Sequence, residues 1–191
     1  MSPKTKTQFE EIRKSSKDKL IKAAFKLFTE KGYNNTSIRM IAKEAGVSIG
    51  LLYNYFTSKE EMLLDILQEA FTNLDSIFVE HEDPGLQLSK SIDAFVKMIV
   101  KHKKRFLMLT QFGLDQNKFE LANQLTIKKY EQSVHNMAKN LALLHNATNV
   151  EMEARILVAT LDGLAFEYLL MGNSIPLNQM KEYLIEKYCN L

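Results

Sequence analysis

The chain has 191 residues, room for one or two domains, and its apolar share of 46% is enough to fill a core while its 25% of charged residues suits a globular surface. Three prolines, seven glycines and a single cysteine, Cys189, argue against turn-rich β folds and exclude an intrachain disulfide, which fits a reducing cytoplasm. The net charge of +2 hides an asymmetry: residues 1–60 carry 12 Lys and Arg against 6 Asp and Glu, and the remainder carries 13 against 17, so one end suits a polyanion.

Residues 1–8 are polar, with no apolar run of the kind a secretory signal or membrane anchor needs, and no later apolar stretch reaches the length of a membrane span. From Phe9 to Lys31 the pattern is helical: Leu20, Ala23, Ala24, Leu27 and Phe28 fall at i, i+3, i+4, i+7 and i+8. Gly32 then reads as a C-terminal cap. Thr36 or Ser37 can cap a second helix with Ile38, Ile41, Ala42 and Ala45 on one face, ended by Gly46. Val47 and Ser48 lead into a short third helix through about Tyr55.

Ser58, Lys59, Glu60 and Glu61 read as a capping box that opens a helix running to about residue 80. His81 to Gly85 reads as a loop. Further helices are expected near 86–102, 104–113, 117–145, 150–171 and 176–189, with a second capping box at Thr148 and Glu151 and a break at Gly172 to Ser174. No strand alternation or internal repeat is visible. The expectation is an all-α chain with domains at 1–57 and 58–191.

The stretch TSIRMIAKEAGVSIGLLYNYFTSK, residues 36–59, carries the chemistry. Ala42 is small where two helices must cross, and Gly46 sits where the chain needs a left-handed turn. Val47 with Leu51 or Leu52 can plug the angle between the helices. Ser48, Ile49, Gly50, Tyr53, Asn54 and Tyr55 are left on or near the outer face of the second helix, the face a groove-reading helix needs. Gly50 allows close approach. Ser48 and the two tyrosines can reach phosphates, Asn54 can bond base edges, and Ile49 can meet a thymine methyl. Thr36, Ser37 and the free amides there can hold a phosphate, Lys59 another, and Arg39 adds charge on the same side.

These residues sit within KAAFKLFTEKGYNNTSIRMIAKEAGVSIGLLYNYFTSKEEMLLDIL, residues 22–67, which resembles the N-terminal domain of the tetracycline-repressor (TetR) family. The resemblance rests on Ala-Ala-Phe and Leu-Phe before Gly-Tyr, then Thr-Ser-Ile, Ile-Ala, Ala-Gly-Val-Ser, Gly-Leu-Leu-Tyr, Tyr-Phe and Ser-Lys-Glu. It implies an all-α homodimer whose first three helices bind DNA and whose remainder dimerises and holds a small-molecule pocket. Matched by position, it implies DNA contacts at Thr36, Ser48, Ile49, Gly50, Tyr53, Asn54, Tyr55 and Lys59. Two departures bear on operator sequence: Tyr55 stands where the family commonly has histidine, and Ile49 is less polar than many members there.

The remaining two-thirds offers composition rather than motif. Phe71, Phe95, Met98, Met108, Phe112, Tyr130, Met137 and Phe166 suit either an ordinary bundle core or the lining of an apolar cavity. Residues 154–172 are apolar nearly all round and must be covered on most sides. Ala159 and Gly163, one turn apart, and Leu170 with Leu177, Met180 and Leu184 suggest a two-fold helical interface; burial inside one chain is the competing account. The four histidines are dispersed and no metal-binding spacing, catalytic triad or nucleotide-cradling glycine loop is present, so neither an enzyme nor a cofactor is expected. The expected function is a cytoplasmic, homodimeric repressor that binds a palindromic DNA operator and is released by a small apolar or amphipathic ligand. The alternative is a DNA-binding or architectural protein controlled by a protein partner.

Overall fold

The computed structural model describes residues 6–75, 81–113, 120–144 and 149–189. Helices and their connections account for all of these residues, with no strand among them, as the all-α expectation requires. The chain divides into two compact units, Met1–Glu69 and Ala70–Leu191.

The first unit holds α1 (Lys6–Lys31), α2 (Ile38–Ala45), α3 (Ile49–Tyr53) and the opening turns of α4 (Lys59–Asp75). The expected stripe of α1 is its buried face: Leu20, Ala23, Ala24, Leu27 and Phe28 are all inside. Gly32, at φ 81°, ends the helix with its amide on the Phe28 carbonyl at 3.0 Å. The expected boundary at 57/58 falls inside this unit. The start of α4 is tied to it by Lys17–Asp65 at 2.6 Å and by the Tyr33–Glu60 hydrogen bond at 2.7 Å. The Ser58 hydroxyl does cap α4, accepting from the Glu61 amide at 3.2 Å. Glu61, however, reaches back to the amide and hydroxyl of Thr57 rather than to Ser58, so the capping box is displaced by one residue.

The second unit holds α5 (Pro84–Lys101), α6 (Lys103–Gly113), α7 (Glu120–Leu144), α8 (Val150–Met171), a 3-10 turn (Gly172–Ser174) and α9 (Leu177–Cys189). α5 begins earlier than its sequence suggests. Asp83 caps it, its carboxylate accepting from the Leu86 amide at 3.0 Å, and Pro84 fills the first turn, where its missing N–H is no loss. The cap of α8 is Asn149, which accepts from the Met152 amide at 3.2 Å; Thr148 lies outside the described residues. Gly172, at φ 60° and ψ −132°, lets the chain leave α8 in a conformation closed to other residues.

The core lies between α5, α7, α8 and α9, around Leu88, Ile92, Ile99, Leu141, Leu157 and Ala165. Its polar atoms are paired: the Gln87 amide donates to buried Asn140 at 2.7 Å. Arg155 forks onto Glu131, linking α8 to α7 at 3.0 and 2.8 Å.

This core bears on two sets of sequence expectations. Phe95 and Met137 are packed core residues, with Met98 and Tyr130 half-buried against them. Phe71 and Met108 are buried as well, whereas Phe166 points outward at 52% exposure; the Phe112 side chain lies outside the described residues. None of the seven whose side chains are described lines the cavity of about 590 Å³ beside α5 and α9. Leu177 and Leu184 also belong to this chain's own core, and Met180 packs against it. Leu177 and Leu184 are thus turned inward and Met180 is half-buried, while Ala159, Gly163 and Leu170 are exposed on α8.

Candidate nucleic-acid interface

The α2–α3 unit is assembled by its caps. Ser37, in extended backbone at φ −107° and ψ 157°, accepts from the Met40 amide at 3.3 Å and starts α2. At its other end Gly46 adopts the left-handed conformation, φ 67° and ψ 32°. The Gly46 amide reaches Lys43 O at 3.2 Å and the Val47 amide reaches Ala42 O at 2.9 Å. That pair of crossed bonds is the Schellman arrangement, which stops a helix and turns the chain sharply. Ser48 repeats the N-cap, accepting from the Leu51 amide at 3.1 Å, so α3 starts two residues after α2's turn.

Only one turn long, α3 has a simple division of faces. Leu52 and Phe56, four residues apart, are fully buried and anchor it; Leu52 is the plug between the helices. Outward lie Ser48, Ile49, Gly50, Tyr53 and Asn54, with Ile49 at 40% exposure and Tyr53 at 54%; Tyr55 is half-buried. Ile49 and Tyr53 form one outward row at i, i+4, and Gly50 and Asn54 another. A Cβ built at Gly50 would meet nothing within 4 Å, so nothing in the chain itself requires glycine there. Ser37 and Arg39, on α2, are exposed as well. The outer surface is thus a ridge of hydroxyls, an amide, an isoleucine and a bare backbone patch, flanked by a cation.

Two expected contacts are placed differently. Thr36 is buried, and its hydroxyl is committed inward, donating to Gly32 O at 2.8 Å and Leu27 O at 3.2 Å. It holds the α1–α2 connection and has no free hydroxyl to offer a phosphate. Lys59 donates to Tyr33 O at 2.8 Å and Thr36 O at 2.9 Å, and its ammonium lies 4.1 Å over the Tyr33 ring. Desolvation lowers its pKa. Lys59 therefore acts first as a strut between α4 and the α1–α2 connection.

Tyr33 and Glu60 complete that strut. The Tyr33 hydroxyl donates to Glu60 and holds its carboxylate below the usual range, while burial and that same carboxylate push the phenol's own pKa up. Sequence reasoning assigned neither residue a role. The available signal was a tyrosine next to a helix-ending glycine and a carboxylate beside Lys59, which spacing alone does not bring together across 27 residues.

A short helix, capped, plugged and presented with its polar row outward behind a glycine turn, defines a helix-turn-helix domain. Residues 20–66 match the pattern of the bacterial regulatory proteins of the tetR family. That match lies within the first unit and, with the relatives below, supports a regulator of the TetR family. Over 102 residues it is 38% identical to YuxN, an uncharacterized HTH-type transcriptional regulator of Bacillus subtilis, covering 51% of this chain and 35% of the relative. It is 29% identical over 115 residues to the fatty acid metabolism regulator protein of the same organism, covering 56% of each. The matches span 35%, 19% and 56% of three such relatives' own lengths. The fold is similar to that of FadR, a fatty acid degradation regulator from Bacillus halodurans, at TM-score 0.74 and 20% identity, covering 91% of this chain and 94% of that one. Among the described residues no helix is long and apolar enough to cross a membrane, and no group of acidic, histidine or cysteine side chains could hold a metal.

Proposed function

We propose that the chain is a homodimeric transcriptional repressor that lays α3 in the major groove of a palindromic operator. The observation that carries this reading is the division of α3: Leu52 and Phe56 fixed inside, Ser48, Ile49, Gly50, Tyr53 and Asn54 outside. Ile49 and Gly50 address base edges, Tyr53 and Ser48 the phosphates, and Arg39 supplies charge from α2. Bound across an operator, the protein would exclude others from it.

The dimer is supported by α8. Met152, Ile156, Ala159, Gly163, Phe166 and Leu170 are all exposed, and their spacing alternates four and three residues. That repeat makes a straight seam for a second helix. A Cβ at Gly163 would meet nothing within 4 Å, yet glycine inside a helix costs roughly 0.5–1 kcal/mol, so the close approach that favours it comes from outside this chain. Two-fold symmetry then sets half-sites roughly 34–36 Å per helical turn apart. A small apolar or amphipathic ligand would release the DNA, in keeping with the names of two relatives that regulate fatty acid metabolism or degradation.

A second reading, control by a protein partner, is favoured by the close packing of Phe95, Met108 and Met137, which leaves the expected pocket filled. Selection from a random DNA library tests the main reading. A palindromic motif should emerge, and Tyr53→Ala should weaken binding to it by roughly 1–3 kcal/mol without loss of helicity. Recovery of no motif, or equal affinity in the variant, would overturn it.

A further inference from the structure

The cavity of about 590 Å³ in the second unit is of ligand size and has a built asymmetry of charge. One wall is a single face of α5: Asp93, Val96, Lys97, Val100 and Lys101 stand at i, i+3, i+4, i+7 and i+8. The other wall is the 3-10 turn and the start of α9, closed at the base by Tyr168. Val96, Tyr168, Ile175 and Leu177 form a buried apolar floor, while Val100, an apolar side chain left 49% exposed, projects on the α5 wall.

Three lysines and one aspartate line the groove. Asp93 is already shared, bridging Lys97 at 2.6 Å and Lys181 at 2.8 Å, and both lysines hold its carboxylate below the usual range. The bridge fixes two ammonium groups in place, and Lys181 is also shared with Glu182 at 3.1 Å, so the three lysines keep one positive charge beyond their two carboxylates. Lys101 has no ion pair among the described residues. At Asn178 and Gln179 the opposite wall presents the first turn of α9, the end of a helix that favours negative charge. A neutral guest would leave this excess of positive charge unused, and a wholly polar one would leave the apolar floor wet.

We propose that the groove binds a small organic anion with an apolar body: the acid group sits by Lys97, Lys101 and the start of α9, and the body covers Val96, Val100 and Ile175. This deepens the ligand arm of the proposed function and rests on it for its biological meaning, but the binding itself needs no DNA.

The test compares two fluorescent probes of similar apolar body, 8-anilinonaphthalene-1-sulfonate, an anion, and N-phenyl-1-naphthylamine, which is neutral. The full chain should bind the sulfonate saturably, shifting the methyl resonances of Val96 and Val100. Lys101→Glu, a change at an exposed site with no ion pair among the described residues, should raise the sulfonate's Kd about tenfold and the neutral probe's less than twofold. Circular dichroism checks that the variant stays folded, and Lys101→Gln, with a smaller rise, serves if it does not. No saturable binding, unshifted valine methyls, or equal effects on the two probes would each overturn the groove as an anion site. None of these outcomes bears on operator binding, which is measured separately.

Discussion

Gly50 separates folding from recognition at a single residue. It lies in a helix, has no positive φ, and has open space where a side chain would go. Gly50→Ala should therefore leave the melting temperature unchanged or raise it, since alanine is favoured over glycine in a helix by about 1 kcal/mol. The same methyl would stand between α3 and the base edges, so operator affinity should fall; a variant that is both stable and fully active would remove Gly50 from the interface. Arg39 and Lys59 make a second pair with opposite expectations. Arg39 is exposed and in no ion pair among the described residues, so Arg39→Ala should lower the salt slope of binding by about one. Lys59 is engaged with two carbonyls, so Lys59→Ala should appear first as a stability loss of about 2 kcal/mol in urea unfolding. A change in salt slope with no change in stability would return Lys59 to the phosphate-binding set.

Among the elements, the α2–α3 turn depends on one torsion. Gly46 has nothing near its missing Cβ, so the penalty of Gly46→Ala is conformational alone, roughly 1–2 kcal/mol for a left-handed residue. Gly46→Asn should recover part of it, and equal stability of all three forms would contradict the turn described. The Tyr33–Glu60 contact gives α4 an acid dependence. Glu60 titrates lower in the folded chain than its unfolded value of about 4.3, so its contribution is present above that pH and is lost as pH falls through the folded value. Tyr33→Phe should flatten the fall of the urea midpoint between pH 6 and 3.5; an unchanged slope would show the contact to be absent in solution. Helix periodicity made the face of α1, the Gly46 turn and the outward row of α3 legible, because each follows from local spacing. Thr36, Tyr33, Lys59 and Glu60 were not legible, because a hydroxyl or ammonium has no sequence mark that tells an inward partner from an outward one. The choice between core and cavity for the large apolar residues was left open for a related reason: such side chains fill a core as well as they line a hole.

For the whole molecule, the proposed α8 seam is tested by the assembly state. Ala159→Glu would set a carboxylate on that face in each copy, and sedimentation at micromolar concentration should then show a monomer with its helicity intact. A dimer that persists would move the interface elsewhere. Leu177 and Leu184 are more hydrophobic than Ala159 and Gly163, and they are the ones used inside. A glycine left bare on an exposed stripe is the better mark of a partner, since nothing among the described residues lies within 4 Å of the Cβ that Gly163 lacks.

The physical separation of the α8 seam from α3 in the sequence has a genetic consequence. On the proposed dimer, an allele carrying Tyr53→Ala still assembles, so its product would pair with wild-type subunits and cripple them, and the allele would be dominant. An allele carrying Ala159→Glu would bury an unpaired carboxylate in any such pair, enter it far less often, and so be recessive. Combining both changes in one gene should turn the dominant allele recessive.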